Sequence, residues 1–251
     1  MTSPAKDHVI NGHFPAGGPI DFRPKQHYLL YARTGVLRLE DDGQRWSLPP
    51  ARAALIKAER PITFWLPQAV TALSVLFVPK GPPPATPLSV FDISALGRAL
   101  LEELRHCTQG PQNAHETLLF EALRSTIWNS AQHPSPAHRP IGKSDLVRRA
   151  LDQTERNLAS GLSFADLALT LATTERTLAR HILAETGMTW RANLRRIRII
   201  RAMESLAATR ENITDIALST GYTSLSAFNA AFRDLTGQSP SDYRDSVNPM
   251  I

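Results

Sequence analysis

GYTSLSAFNAAFRDLTGQSPSDYR, residues 221–244, is the stretch whose pattern decides the fold of the C-terminal half. Gly221 stands where a short helix would end, because glycine adopts a left-handed conformation at little cost. Ser224 is of the residue type that caps the start of a following helix, and Gly237 is placed to end that helix. Pro240 favours the first turn of one further helix. The stretch therefore predicts a turn, a well-bounded helix and a second helix start.

The helix between these glycines has two different faces. Phe228, Phe232 and Leu235 are spaced so that they share one face and can pack against a core. The opposite face carries small and polar groups, namely Leu225, Ser226, Asn229, Ala230 and Arg233. A rigid helix with such an outer face suits the major groove of DNA. In a single copy, an ordinary amphipathic helix pair would show the same pattern.

The same pattern occurs twice in the chain. Residues 164–189 align with residues 213–239, with one extra residue near Tyr222 in the second copy, so that FADLAL matches ITDIAL. Each copy has the pattern of a short helix, a turn and a longer helix, which is the layout of a helix-turn-helix. The repeat predicts two such units, at about 164–187 and 213–237.

The first copy has the more basic outer face. Thr174 is placed to cap its second helix, and Arg176, Thr177 and Arg180 are predicted to project away from the core. An arginine can donate two parallel hydrogen bonds to a guanine or one to a phosphate, and both roles stay open here. Seven arginines and a single acid lie within residues 176–201. Tandem copies with this cluster favour a DNA-binding role over an ordinary helix pair.

Residues 190–209 connect the two copies. Their apolar side chains cover more than one face, which is expected of a helix contacted from two sides, so we expect a strut that fixes one unit against the other. Phosphate contacts, or ion pairs with Asp166 or Glu204, are alternative roles for the arginines along it. These are Arg191, Arg195, Arg196, Arg198 and Arg201. Residues 146–158 are predicted to form the helix that opens the domain.

The N-terminal half has the shorter period of β-strands. Within residues 27–79, alternating segments such as VLRLE and VTALSVLFV are separated by turn-forming residues, which predicts a small antiparallel barrel or sandwich. Residues 92–131 show two amphipathic helical patterns, with Leu96 and Leu118 on their apolar faces. These helices can pack on the sheet or pair with a second subunit. Residues 132–142 contain three prolines and are predicted to be an interdomain linker.

Composition limits the class of protein. The 251 residues carry a net charge of +5 with 42% hydrophobic residues, which fits a globular protein with a mild attraction to a polyanion. Cys107 is the single cysteine, so no disulfide forms within the chain. We find no signal-peptide pattern and no apolar run of membrane-spanning length. The expected compartment is the cytoplasm, in association with the nucleoid.

The opening stretch closely resembles the signature of the AraC/XylS family of transcription regulators, in its glycines, its aromatic residues and the final Pro240, Tyr243 and Arg244. RTLARHILAETGMT resembles the corresponding part of the first unit, although Ile182 replaces the usual aromatic residue. The resemblance covers about residues 144–246. It implies that double-stranded DNA is the partner, and that the second helix of each unit enters successive major-groove segments on one face of the duplex.

Carried over to this chain, the resemblance assigns base or phosphate contacts to Arg176 and Arg180 in the first unit and to Leu225, Ser226 and Ala230 in the second. Ala230 has no hydrogen-bonding side chain, so we expect readout to rest more on the first unit, while Leu225 can touch a thymine methyl group. The residues predicted to bind DNA are Thr174, Glu175, Arg176, Thr177, Arg180, Ser224, Leu225, Ser226, Asn229 and Ala230. RNA polymerase is the expected second partner if the protein is an activator.

HYLLYARTGVLRLE and LPPARAALI in the N-terminal half resemble, more loosely, the cupin-like sensor domains of the same family. The resemblance implies a small barrel that senses a small-molecule effector, followed by helices that form a homodimer. Residues that can line an effector pocket, or form plain sheet core, are Tyr28, Tyr31, Trp46, Phe64 and Trp65. Metal-binding cupins use a paired histidine, and His27 has no second histidine nearby. We therefore expect no metal, no cofactor and no cupin enzyme chemistry.

The predicted fold class is α+β. It combines an N-terminal small antiparallel β-barrel of cupin-like type plus two helices with an all-α C-terminal domain, in which two helix-turn-helix units are joined by a long helix. The predicted division is an effector-sensing domain, a helical pair, a linker and a DNA-binding domain, over residues 1–91, 92–131, 132–142 and 143–247.

Two other functions stay open at this point. A cupin oxygenase or isomerase fused to a DNA-binding module would need metal ligands that are missing from the barrel sequence. An architectural protein that binds DNA without sequence choice would show equal affinity for all duplexes, with one salt dependence. Elsewhere, His106, Cys107 and His115 do not have a spacing typical of a metal site.

Overall fold

The computed structural model describes residues 6–247, and the chain divides into two compact parts. We call them the N-terminal body and the C-terminal body. Of the described residues, the first contains 6–39, 47–135 and 245–247, and the second contains 40–46 and 136–244. Antiparallel sheets precede a helical region, so the predicted α+β fold class is confirmed.

The strands form two five-stranded sheets. In chain order they are β1 (His8–Phe14), β2 (Gly17–Phe22), β3 (His27–Thr34), β4 (Leu37–Asp41), β5 (Gln44–Leu48), β6 (Arg52–Ile56), β7 (Ile62–Leu66), β8 (Val70–Phe77), β9 (Leu88–Asp92) and β10 (His138–Pro140). One sheet has the order β1-β8-β3-β6-β9, and the other has the order β10-β5-β4-β7-β2. Pairing is antiparallel, with Tyr28 opposite Ile56 and Leu29 opposite Val75 at the centre of the first sheet.

Helices α1 (Ala95–Glu103) and α2 (Ala114–Ser130), with a short 3₁₀ helix at Leu104–His106, follow the strands. Phe120, Leu123 and Ile127 of α2 are buried in one cluster with side chains of the first sheet. Leu96 and Leu118, which the periodicity placed on the apolar faces, are instead 59% and 64% exposed. The buried stripe of each helix is therefore narrower than the sequence pattern.

The proline-rich segment 132–142 contains regular structure. Its residues His138–Pro140 form β10, where Arg139 lies opposite Arg45 of β5. Arg139 is buried and donates to Asp152 and Glu155 at 2.9 and 2.8 Å, between their carboxylate oxygens and its Nη2. Strand β10 gives no recognisable sequence pattern, because it is only three residues long and the β5 residues that pair with it lie about 90 positions away.

The C-terminal body consists mainly of helices. They are α3 (Asp145–Arg156), α4 (Phe164–Thr170), α5 (Glu175–Thr186), α6 (Trp190–Ala208), α7 (Ile213–Ser219), α8 (Leu225–Thr236) and α9 (Pro240–Val247). Helix α6 contacts α3 and α5 as well as α7 and α8. Its buried side chains, Ile197, Ile199, Ile200, Met203 and Leu206 among them, lie on more than one face, so the predicted connecting helix is confirmed.

Within the described residues, none of the helices is both long enough and apolar enough to cross a membrane.

Candidate DNA interface

The first helix-turn-helix unit, α4 and α5, is bounded by local hydrogen bonds. Ser163 caps α4 by accepting from the Asp166 amide, and Thr174 caps α5 by accepting from the Thr177 amide at 3.2 Å. The turn between the helices closes through Ala172, which has a left-handed backbone with φ of 52°. These bonds use amides that a helix leaves unpaired at its start. Local hydrogen bonds therefore define where each helix of the unit begins.

The second unit, α7 and α8, repeats this backbone. Asn212 caps α7, and Ser224 caps α8 by accepting from the Ala227 amide at 3.4 Å. Gly221 takes the place of Ala172 in the turn, with φ of 85°. A side chain at Gly221 would place its Cβ 2.3 Å from the Leu158 carbonyl oxygen. The predicted caps and the predicted glycine turn are present in the structure.

The inner faces hold each second helix against the core. Leu178 and Ile182 of α5 are fully buried, as are Phe228 and Phe232 of α8. In the second unit the rings form a continuous series, in which adjacent ring centroids are 5.4 to 5.8 Å apart. The series consists of Tyr222, Phe228, Phe232 and Tyr243. Packing of this kind fixes which face of each helix remains outside.

Helix α5 and its cap carry half of the ten predicted DNA contacts. Thr174, Glu175, Arg176 and Arg180 are exposed, while Thr177 is half-buried. Among residues 6–247, the side chains of Arg176 and Arg180 have no hydrogen bond or ion pair, so both guanidinium groups can bind an external partner. Glu175 lies in the first turn of α5, where its negative charge interacts favourably with the positive end of the helix dipole.

The predicted contact residues of α8 and its cap have uncharged side chains, most of them small. Ser224, Leu225, Ser226 and Ala230 are exposed. Asn229 is half-buried, and its side-chain oxygen is shielded from solvent and has no hydrogen-bond partner among residues 6–247. Of the five predicted contacts in this unit, Asn229 is thus the one whose polar group is partly withdrawn from the surface.

A family model described as a helix-turn-helix domain matches residues 167–246, which cover both units and α9. The HTH-type transcriptional activator RhaS of Yersinia pestis (strain Pestoides F) is 32% identical over 154 residues, or 60% of this chain and 55% of that protein. The chain thus spans about half the length of the curated relatives it matches. Residues 167–246 form an AraC-type helix-turn-helix domain.

Solved structures with a similar segment include the C-terminal domain of AraT, a response regulator from Geobacillus stearothermophilus. It is 33% identical and aligns with 43% of this chain and 88% of that chain, with a TM-score of 0.40. A structure of ToxT from Vibrio cholerae strain SCE256, bound to unsaturated fatty acid, is 16% identical over 98% of this chain and 95% of that one, with a TM-score of 0.42.

Four arginines of the long helix in the AraC-type domain are engaged within the protein. Arg195 pairs with Asp234 at 3.0 Å, Arg201 pairs with Glu204 at 2.7 Å, and Arg196 donates to two backbone carbonyls near β10. The Arg198 guanidinium lies 5.6 Å from the Tyr222 ring centre. Arg191 is exposed and, in the part of the chain that the structure describes, has no such partner. Among the arginines of α5 and α6, those without a partner in the described residues are therefore Arg176, Arg180 and Arg191.

Leu183, which was not predicted to lie on the outer face, is 51% exposed and follows Arg176 and Arg180 along the same face of α5 at helical spacing. The signal was present in this spacing, but leucine is usually assigned to the core. The equivalent residue of the second unit is the exposed Arg233.

The five aromatic residues proposed for an effector pocket lie on three strands, β3, β5 and β7. Tyr28 and Tyr31 of β3 are buried, and burial raises the pKa of Tyr31 to about 12. Trp46 packs on His138, with ring centres 5.8 Å apart, while Phe64 and Trp65 of β7 are half-buried. A cavity of about 650 Å³ in the N-terminal body is lined instead by Lys80, Gly81, Pro82, Glu121, Arg124, Ser125, Trp128, Asn129 and Gln132.

Proposed function

We propose that this protein is a sequence-specific transcription regulator that binds duplex DNA through helices α5 and α8 of its AraC-type domain. The observation that carries the proposal is the outer face of α5, where Arg176 and Arg180 project from a capped helix without partners in the described chain. Arginines in this state have their hydrogen-bond donors available for guanine or phosphate. The second unit adds contacts of shape and apolar surface.

The regulatory role draws support from the relatives, which are described as transcriptional activators. For this chain we propose activation through RNA polymerase, without an enzymatic reaction, in the cytoplasm. The N-terminal body is proposed to sense a small-molecule effector and to form a homodimer through the helical segment 92–131. The domain division at about residues 91, 131 and 142 is part of the same proposal.

The test is selection of bound sequences from random duplex DNA by the full chain at near-physiological salt. Two short blocks separated by about one helical turn, ~34 Å, are expected if both units read bases. Arg180→Ala should change the block recognised by the first unit, while Arg156→Ala, an exposed arginine on α3, should leave both blocks intact.

A different result would reject sequence-specific binding. If the chain retains DNA without enriching any sequence, and all duplexes show the same affinity and salt dependence, the protein is architectural. Repeating the selection with residues 140–251 separates that case from a full chain whose DNA-binding domain is released only by an effector.

A further inference from the structure

Three side chains with metal-binding atoms converge in the N-terminal body. They are His106 at the end of the 3₁₀ helix, Cys107 directly after it and Glu116 in the first turn of α2. Their ligand atoms all lie within 4.8 Å of one another, and His106 Nε2 is 3.3 Å from Glu116 Oε1. The fold thus brings Glu116, rather than the neighbouring His115, to the histidine–cysteine pair.

The backbone around Cys107 is fixed by short-range and long-range bonds. The Cys107 carbonyl accepts from the amides of Val9 and Gly110, both at 3.1 Å, and the Cys107 amide donates to Leu104 at 2.9 Å. Gly110 has φ of 83°, and a Cβ there would lie 2.7 Å from the Asp7 carbonyl oxygen. The turn that presents the thiol is consequently held in one conformation.

The carboxylate of Glu116 is oriented by a further hydrogen bond. Its Oε2 accepts from the Gln112 amide at 2.6 Å, which leaves Oε1 directed toward His106. The Glu116 amide in turn donates to Asn113, the cap of α2, at 2.8 Å. Hydrogen bonds that orient a ligating carboxylate are a regular feature of metal sites, because they fix the ligand before the ion arrives.

The Glu116 carboxylate contacts both of the other side chains, because it lies 3.3 Å from His106 Nε2 and is hydrogen-bonded to the Cys107 thiol. Cys107 is only 3% exposed and belongs to the same group, whereas the His106 side chain is 62% exposed and leaves an open approach from solvent. Tetrahedral zinc sites have bonds of about 2.0 to 2.3 Å, so their ligand atoms are separated by about 3.3 to 3.8 Å. The 4.8 Å limit on the separations in this group exceeds that spacing by about 1 Å.

We propose that His106, Cys107 and Glu116 form a binding site for a divalent ion of the zinc class, with a fourth position open to water. Imidazole and thiolate ligands favour such borderline-soft ions over Mg²⁺ and Ca²⁺. On binding, the Cys107 thiol releases its proton to solvent and its sulfur bonds to the metal. The site is separate from the DNA-binding function and does not depend on it.

The test is a titration of the tag-free, metal-stripped full chain with Co²⁺, whose bond to a thiolate produces a charge-transfer absorption in the near ultraviolet. We expect this band to saturate at one Co²⁺ per chain and to disappear when Zn²⁺ is added. Histidines on the surface that bind Co²⁺ without a thiolate produce no such band, so the signal reports Cys107 directly.

Variants identify the ligands. Cys107→Ser should abolish the band, and His106→Ala, at an exposed side chain that the fold does not need, should weaken binding by more than about tenfold. His115→Ala is the matched control and should bind like the wild type. The proposal is overturned if the wild type shows no band, if His106→Ala binds as tightly as the wild type, or if His115→Ala loses binding to the same extent.

Discussion

The two helix-turn-helix units share a backbone and differ in almost every functional position. Each has a capped first helix, a left-handed turn residue, a capped second helix and a left-handed glycine at its end. On the outer face, Arg176 and Arg180 of the first unit correspond to Ser226 and Ala230 of the second. The same frame thus presents two cations at these positions in one unit and uncharged side chains in the other, where Arg233, one turn further along, carries the charge.

The inner faces differ as well. The first unit packs aliphatic Leu178 and Ile182, whereas the second packs Phe228 and Phe232 in a series of rings. Local hydrogen bonds are common to both units, so they account for the shared shape. Core composition and outer charge differ between the units although the backbone is shared, so the backbone alone does not fix which groups the outer face presents.

The largest effect should come from the aromatic core. Phe232→Ala is expected to lower the free energy of unfolding by ~3–5 kcal/mol, because a fully buried ring is replaced by a cavity between Phe228 and Tyr243. Ile182→Ala at the equivalent site should cost less, near the lower end of ~2–5 kcal/mol. Urea unfolding followed by far-ultraviolet circular dichroism measures both. Equal stability of Phe232→Ala and the wild type would refute the assignment of the inner face.

The turns provide the next comparison. Gly221→Ala should destabilise the protein by more than about 2 kcal/mol, because the left-handed conformation and the contact with the Leu158 carbonyl act together. Ala172→Gly removes the backbone strain of a left-handed alanine. It should raise the free energy of unfolding, by no more than about 1 kcal/mol relative to the wild type. The same unfolding measurement applies, and a destabilised Ala172→Gly protein would show that the two turns are not equivalent.

The outer faces are compared by exchanging charge. Arg180→Ala should weaken binding to the selected sequence by ~1–3 kcal/mol if it contacts a base, or reduce the salt slope by about one if it contacts phosphate. Ala230→Arg, its counterpart, should increase the salt slope by about one. Fluorescence anisotropy at several salt concentrations distinguishes these results. If neither variant changes affinity or slope, α5 and α8 do not face the DNA.

The smallest effect is expected at the caps. Thr174→Ala and Ser224→Ala each remove one bond to a helix amide, and each should cost about 1 kcal/mol. The two costs should agree within ~0.5 kcal/mol, because each cap accepts from one helix amide, at 3.2 and 3.4 Å. A cap that costs nothing in one unit would show that the repeated backbone is held there by tertiary packing.

Much of the C-terminal domain could be predicted from sequence, since caps, turns and helical spacing involve residues within a few positions of each other. Gly187, Gly237, Thr174 and Ser224 occupy the predicted positions for this reason. The roles of the arginines along α6 could not be predicted in the same way. Arg195 pairs with Asp234 of the second unit, and Arg196 donates to the carbonyls of residues 136 and 138. These partners are too far away along the chain for a local sequence pattern to predict them.

The sequence by itself determined the two helix-turn-helix units and the faces of their second helices, because short-range hydrogen bonds and apolar spacing specify both. Only the tertiary structure decided which arginines remain free for DNA, and which pair within the protein. It also brought β10 to β5 and Glu116 to His106 and Cys107. These contacts join residues that are far apart in the chain. The sequence offers several possible partners for each of them, and the fold determines which partner lies close enough to bind.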